Sequence, residues 1–418
     1  MIKQRTAAAA LCLAALAVPA LAEQKCSIQA AAREAAPKTP WIGKGNWLAP
    51  ENLRYGQGHL PHFMPAVRVA PREPAAALPR ADQLLDLERL TAADPIDGEE
   101  RSLAFLLDTR LYADGVLVLR DGAILAEAYR HGLSAAEPRL VGSATRPVVA
   151  MLAAMSTAKG KLRLEHALSR HLPELATIAE LRKISLHRLL NRPDAFHWEE
   201  ADLQGWKHAS GWDSDQPGES LRAWAKAAPW RLAAADQPGT PDGPEGQLAV
   251  WAVERAWKRP LPAVFCERLF AAAGAEHPAY WAASPEGDAL ADGLALSLPD
   301  FARLGNALLK SRGNFRGLLP TWFADAVASA GGSLEARATS PAGFPRGTQA
   351  RYGFLILPGA PHRAAAVGSQ GNSLFIDFER RLVVAVFASY PAERSPRMAE
   401  TLQRVWEAID AAAGQAAR

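Results

Sequence analysis

The chain has 418 residues, 49% hydrophobic and 22% charged, with 47 basic against 44 acidic residues and a net charge of +3. This globular composition carries ample apolar material for a large core. It excludes wholesale disorder and the electrostatic footprint of a protein that binds nucleic acid or anionic lipid. Three cysteines are too few for a disulfide scaffold.

The start reads Met1-Ile-Lys-Gln-Arg5, then an apolar run from Thr6 to Val18, then Pro19 and Ala20-Leu21-Ala22. A basic segment, a short apolar segment and an Ala-x-Ala site predict a secretory signal peptide over residues 1–22, and hence a secreted or periplasmic protein. No later stretch approaches ~20 apolar residues, so no membrane span is expected. Export leaves Cys26 and Cys266 in an oxidising space. They either form one disulfide tying the N-terminal extension to the body or stay as two buried thiols, and the sequence leaves both open.

Residues 23–100 are rich in Pro and Ala, with aromatics at intervals, and read as an extension packed on a folded body. The texture changes near residue 101. Gly115-Val-Leu-Val-Leu-Arg120, the turn Asp121-Gly122 and Ala123 to Tyr129 predict a β-hairpin, because Asp-Gly supplies the left-handed turn. Val148, Met151, Leu152 and Met155 repeat at i, i+3, i+4, i+7 and mark an amphipathic helix. Further helices are predicted around Ile184–Leu190, Leu248–Trp257 and Pro299–Leu309, the last capped by Ser297 and Asp300. Strands return at Ser373–Asp377 and Leu382–Phe387. A final helix opens at Pro396, with Leu402, Val405, Trp406 and Ile409 on one face.

The order of strands, many helices and strands again predicts an α+β domain over 101–415. Both ends of the chain (101–142 and 340–415) would build one antiparallel sheet flanked by helices, and the mainly helical part 143–339 would be inserted between them. No internal repeat is present.

On these segments the chain resembles the serine β-lactamase and penicillin-binding-protein superfamily, and within it the aminohexanoate-oligomer hydrolases and class C-like esterases. The resemblance runs from about Asn52 to Glu407, through DGVLVLRDGAILAEAYRHG, VGSATRPVVAML, GKLRLEHALSRHLPEL, ISLHRLLNRPDAFHW, LSLPDFARLGNALL and GSQGNSLFIDFERRLVVAVF. It implies three catalytic elements. The first is Ser-x-x-Lys, and here the stretch is Ser143-Ala144-Thr145-Arg146. Ser143 is the candidate nucleophile, and Arg146 replaces the lysine. A buried lysine can lose its proton near neutrality, whereas a guanidinium with pKa above ~12 cannot act as a base. Pro147 pushes its predecessor away from helical dihedrals, so the helix is expected to start at Pro147 and to leave Ser143 and Arg146 on the preceding turn.

The second element is Tyr-x-Asn, expected after Pro238-Gly239-Thr240. Pro241-Asp-Gly-Pro-Glu245 stands there, with neither residue. Glu245 is either a substitute base or, as the sequence favours, an exposed loop carboxylate. The third is Lys-Thr-Gly or His-x-Gly on the strand lining the site. Gly368, Ser369, Gln370 and Gly371 occupy the place and are the candidate substrate-binding residues, with the glycines kept and the cation lost.

Five tryptophans lie between Trp198 and Trp230. Packing is expected for most of them and ligand contact for one or two. Neither His166/His171 nor His187/His197 has a carboxylate or cysteine at ligand spacing, so no metal is implied, and no cofactor. Gly-x-Ser-x-Gly and phosphate-loop motifs are absent.

The expected function is an exported serine-hydrolase homologue, catalytically impaired or inactive. It would keep a cleft for an amide, ester, carboxylate or peptide-like ligand, or for a protein partner. The alternative is an active amidase, esterase or β-lactamase-like enzyme using Ser143 with an unidentified base.

Overall fold

The computed structural model describes residues 26–31, 41–71, 75, 77–192, 194–216, 218–234, 239–240, 243–329 and 343–415. The expected signal peptide lies outside them. In chain order the strands that matter here are β1 (Ser27–Ala30), β2 (Ala66–Ala70), β3 (Ala113–Arg120), β4 (Ala123–Tyr129), β5 (Arg139–Leu140), β6 (Ala279–Ala283) and β7 (Ala289–Leu296). They continue with β8 (Gln349–Arg351), β9 (Phe354–Ile356), β10 (Arg363–Val367), β11 (Ser373–Asp377) and β12 (Leu382–Ala388). The helices used below are α1 (Leu53–Gly58), α2 (Thr145–Ala158), α3 (Leu186–Asn191), α4 (Gly246–Trp257), α5 (Leu298–Ser311) and α6 (Pro396–Gln415).

The sheet drawn from both ends of the domain is antiparallel throughout, in the order β8-β9-β10-β11-β12-β3-β4. Asp121 and Gly122 both have positive φ (53° and 85°) at the β3–β4 turn, the geometry that an Asp-Gly pair favours. The inner strand β12 reads Leu-Val-Val-Ala-Val-Phe-Ala without polar alternation because both of its faces are covered. Val383, Ala385 and Phe387 belong to one core, with Leu117 and Leu119 of β3. Val384 and Val386 belong to a second, with Val116 and Val118.

Helix α6 closes that second core through Leu402, Val405, Trp406 and Ile409, all buried. Trp406 stacks on Phe375 of β11 with ring centres 5.3 Å apart. Helix α5 covers the opposite face. Its cap is the expected one, since Ser297 Oγ accepts from the Asp300 amide at 3.2 Å and donates to Asp300 Oδ2 at 2.8 Å.

One sheet is not the whole architecture. A second antiparallel sheet runs β1-β2-β6-β7-β5. The N-terminal extension supplies its first two strands, and the part read as helical supplies the hairpin β6–β7. Those two segments, Ala-Tyr-Trp-Ala-Ala and Ala-Leu-Ala-Asp-Gly-Leu-Ala-Leu, are dominated by alanine and leucine, which carry little strand preference, so their pairing is dictated by tertiary burial. Cys26 and Cys266 form a disulfide with Cα atoms 5.7 Å apart, spanning 240 residues of sequence and fastening the edge strand to the helical part.

Candidate functional site

The site is built where β5 hands the chain to α2. Gly142 has φ +56°, and the turn Gly142–Ala144 leads into a helix that begins at Thr145, not at Pro147. Arg146 is therefore helical, contrary to the expectation from its neighbouring proline. Pro147 is only the third helical residue, and amides of the first turn have no intrahelical acceptor, so its missing N–H costs nothing there. Thr145 Oγ1 accepts from the Leu294 amide at 3.2 Å and pins the turn to β7. Ser143 sits on the turn, as expected.

The third element reaches the first by close backbone approach. A Cβ on Gly368 would overlap the Val141 carbonyl oxygen, and one on Gly142 would lie 2.9 Å from Ser369 Oγ and 3.2 Å from Ser369 N. Only glycine permits this contact at both positions. Among the described residues, neither the Ser143 nor the Ser369 backbone N–H has an acceptor. Two free amides flanking a hydroxyl have the composition of an oxyanion-binding pair.

The surrounding loop is braced from three sides. Gln370 holds a left-handed backbone (φ 57°) and donates its N–H to the Glu393 carbonyl at 3.0 Å. Asn372 Nδ2 donates to the carbonyls of Leu140 at 3.2 Å and Ser369 at 3.0 Å. Gln57 of α1 donates to Gln370 Oε1 at 3.4 Å, so the N-terminal extension forms part of the wall.

Among the described residues, no group placed to take a proton from Ser143 is in contact with it. No carboxylate, lysine or histidine among the described residues hydrogen-bonds its hydroxyl. Arg146 turns to β7 instead. Its Nε donates to Asp292 Oδ1 at 3.0 Å and its Nη2 to Asp292 Oδ2 at 3.2 Å, with a further bond to the Gly243 carbonyl at 3.3 Å. The two side chains are only 13% and 16% exposed. Burial alone would lower the guanidinium's pKa, but the charge and hydrogen bonds of Asp292 outweigh it and raise the pKa further. The sequence reading missed Asp292, although an acidic residue inside an Ala/Leu strand signals a buried charge that needs a partner.

Glu245 is not an exposed loop carboxylate. It is 2% exposed, and Trp198 Nε1 donates to its Oε2 at 3.0 Å. Burial pushes its pKa up to about 7 against the opposing pull of Arg146. Residues 241 and 242, the remainder of the expected Tyr-x-Asn place, lie outside the described residues. His362 and Arg363 are at the far end of β10, where Arg363 pairs with Asp377 at 3.0 Å, so no cation replaces the lost one on the site strand.

A family model described as Beta-lactamase matches residues 104–405. The chain belongs to the beta-lactamase family. A 6-aminohexanoate-dimer hydrolase of Paenarthrobacter ureafaciens is 22% identical over 365 residues, covering 83% of this chain and 88% of that protein. A solved structure from Bacillus anthracis, assigned as a 6-aminohexanoate-dimer hydrolase, superposes with a TM-score of 0.77 at 20% identity over 90% of this chain and 98% of its own. Simvastatin synthase from Aspergillus terreus gives 0.55 at 15% identity, over 74% and 95%. These structures share the beta-lactamase fold with the chain.

Within this beta-lactamase-family chain Trp198, Trp212, Trp224 and Trp230 pack on other aromatic rings. Trp198 meets Trp230 edge-on with centres 4.9 Å apart, and Trp212 stacks on Trp47 at 5.9 Å. No group of three or more His, Cys, Asp or Glu side chains arranged to hold a metal occurs among the described residues. None of their helices is long and apolar enough to cross a membrane.

Proposed function

We propose that this member of the beta-lactamase hydrolase family is exported and binds a ligand bearing an amide, ester or carboxylate group, with hydrolytic turnover at Ser143 strongly impaired. The observation that carries the reading is the Arg146–Asp292 pair. A permanently protonated group, tied down by a carboxylate, stands where a deprotonable amine is needed, and nothing else described reaches the hydroxyl. The free amides of Ser143 and Ser369 would still receive a ligand's carbonyl or carboxylate oxygen. Arg146 itself offers no open fork to a ligand carboxylate, because Asp292 occupies it. The leader-like N-terminus supports export, and so does the Cys26–Cys266 disulfide, since such bonds persist in oxidising compartments.

A second reading, slow hydrolysis of amides or esters, is favoured by one observation: Glu245, with a pKa of about 7, is suited to proton transfer near neutrality. A fluorophosphonate or penicillin probe and a chromogenic ester separate the two. The expected result is no Ser143-dependent labelling and no multiple turnover. Sustained turnover that vanishes in Ser143→Ala would establish the second reading instead.

A further inference from the structure

Ser143 touches no proton acceptor among the described residues, but a hydroxyl on the facing loop does. Ser369 Oγ donates to Glu393 Oε1 at 3.3 Å. The backbone brings the two together. The Gln370 N–H donates to the Glu393 carbonyl and the Tyr390 N–H to the Gln370 carbonyl, both at 3.0 Å. Asn372 Nδ2 fixes the Ser369 carbonyl at 3.0 Å. Ser369 is half-buried and Glu393 exposed, so a ligand can reach the contact.

A serine bonded to a surface carboxylate is ordinarily a loop brace. This one has different surroundings. Among the described residues the Ser369 N–H has no acceptor, and neither has the Ser143 N–H. A Cβ on Gly142 would lie 2.9 Å from Ser369 Oγ, so the hydroxyl packs against the residue that precedes Ser143. One hydroxyl, one carboxylate acceptor and two open amides therefore meet at a single backbone contact. A nucleophile whose own N–H belongs to the oxyanion pair is a workable arrangement. The contact is longer than a full-strength O–H···O⁻ bond, and nucleophile–base bonds are commonly long until a substrate is seated.

We propose that Ser369 is a second nucleophile of this site, with Glu393 as its base, and that it accepts acyl groups from activated esters. The ester carbonyl oxygen is held by the amides of Ser143 and Ser369. Ser369 Oγ forms a bond to the carbonyl carbon while its proton passes to Glu393 Oε1. The bond from that carbon to the alcohol oxygen then breaks, and the departing alkoxide takes the proton back from Glu393. The acyl group stays on Ser369, in one bond-forming event per chain. With a fluorophosphonate the oxygen–phosphorus bond forms, the phosphorus–fluorine bond breaks, and the proton leaves with fluoride. The amide pair is shared with the reading of Ser143 given above, but the step holds whether or not Ser143 reacts.

The test is incubation of the full chain with a fluorophosphonate at neutral pH, followed by trypsin digestion and mass spectrometry. Ser143 falls on the peptide Leu140–Lys159 and Ser369 on the peptide Ala364–Arg380. Fragment spectra separate Ser369 from Ser373, which is fully buried. The expected result is one adduct per chain, on Ser369, and none in Ser369→Ala. Glu393→Gln keeps an acceptor for the hydroxyl but cannot take its proton, so labelling should slow by at least about tenfold. That substitution is at an exposed position and serves if the Ser369 variant does not fold.

An unlabelled Ser369, or an unchanged labelling rate in Glu393→Gln, would each overturn the proposal. An adduct on Leu140–Lys159 alone would overturn both this proposal and the impaired-hydrolase reading. Absence of adducts from both peptides would overturn this proposal and leave that reading standing, so the two failures are distinguishable.

Discussion

Replacing Asp292 by Asn tests the central structural claim about the site. Asparagine has nearly the same volume but one acceptor oxygen instead of two and no charge, and its NH2 would face an Arg146 N–H, donor against donor. Breaking a buried ion pair by removing one partner is destabilising by about 3–5 kcal/mol. Exposures of 13% and 16% place this pair at the lower end, near ~3 kcal/mol. A chain of 418 residues has an unfolding entropy of about 0.9 kcal/mol/K, so the melting temperature should fall by about 3–4 °C in scanning calorimetry. Arg146→Met combined with Asp292→Asn removes both charges and should recover most of the loss, giving a coupling energy of about 2 kcal/mol or more. A shift below about 1 °C for Asp292→Asn, set against that scale, would show that the pair does not hold the site together, and Arg146 would then be available to a ligand.

Three further outcomes follow from the same geometry. Arg146→Lys alone should not restore serine-probe labelling, because Asp292 would keep the new ammonium protonated. Adding Asp292→Asn lets burial lower the lysine's pKa, and labelling should rise at least about tenfold; equal labelling in the two variants would refute this. Glu245 and Glu254 both have their pKa raised by burial from 4.5 to about 7. The folded state thus binds protons that the unfolded chain has lost, and the contribution is fully present below about pH 4.5 and disappears as pH rises to about 7. Each group accounts for a decline on the order of 3 kcal/mol across that window, and Glu245→Gln should remove its share from urea-melt stabilities measured at intervals between those limits. Reducing the Cys26–Cys266 bond opens a loop spanning 240 residues. It should lower unfolding free energy by about 2–5 kcal/mol, with β1 amides the first to exchange with deuterium; unchanged protection of Ile28 and Gln29 would contradict it.

The parts of the fold legible from sequence are those where local chemistry and tertiary burial agree. The Asp121-Gly122 hairpin, the Ser297 cap and the stripe Leu402, Val405, Trp406, Ile409 each carry their signal within a few residues. The second sheet was illegible because β6 and β7 are built from residues that suit a helix as well as a strand. Only their neighbours on either side settle the matter. The helix start failed for a related reason. The rule against helical geometry before proline is a local steric preference, and with Pro147 in the first turn of a helix that starts at Thr145 no intrahelical hydrogen bond is lost by setting it aside.

The candidate site divides along a similar line. Ser143 and the Gly368–Gly371 stretch were recognisable as motif positions, but their approach depends on two missing Cβ atoms placed 226 residues apart, Gly142 and Gly368. Glu245 and Asp292 were hidden because a lone carboxylate in a loop or strand is ordinarily solvated, and only the fold reveals that these two are not. Their burial also changes how the lysine-to-arginine replacement should be understood. Had Arg146 merely lost its basicity, the site would hold an unpaired cation in a partly buried position, at considerable cost. Asp292 removes that cost, and a carboxylate at that place would equally keep a lysine protonated and unreactive. The pair therefore acts as a unit: arginine supplies two parallel donors that match the carboxylate, and the carboxylate makes the arginine tolerable in the core. Recovering a base at this position requires changing both residues, because either one alone opposes the proton's departure.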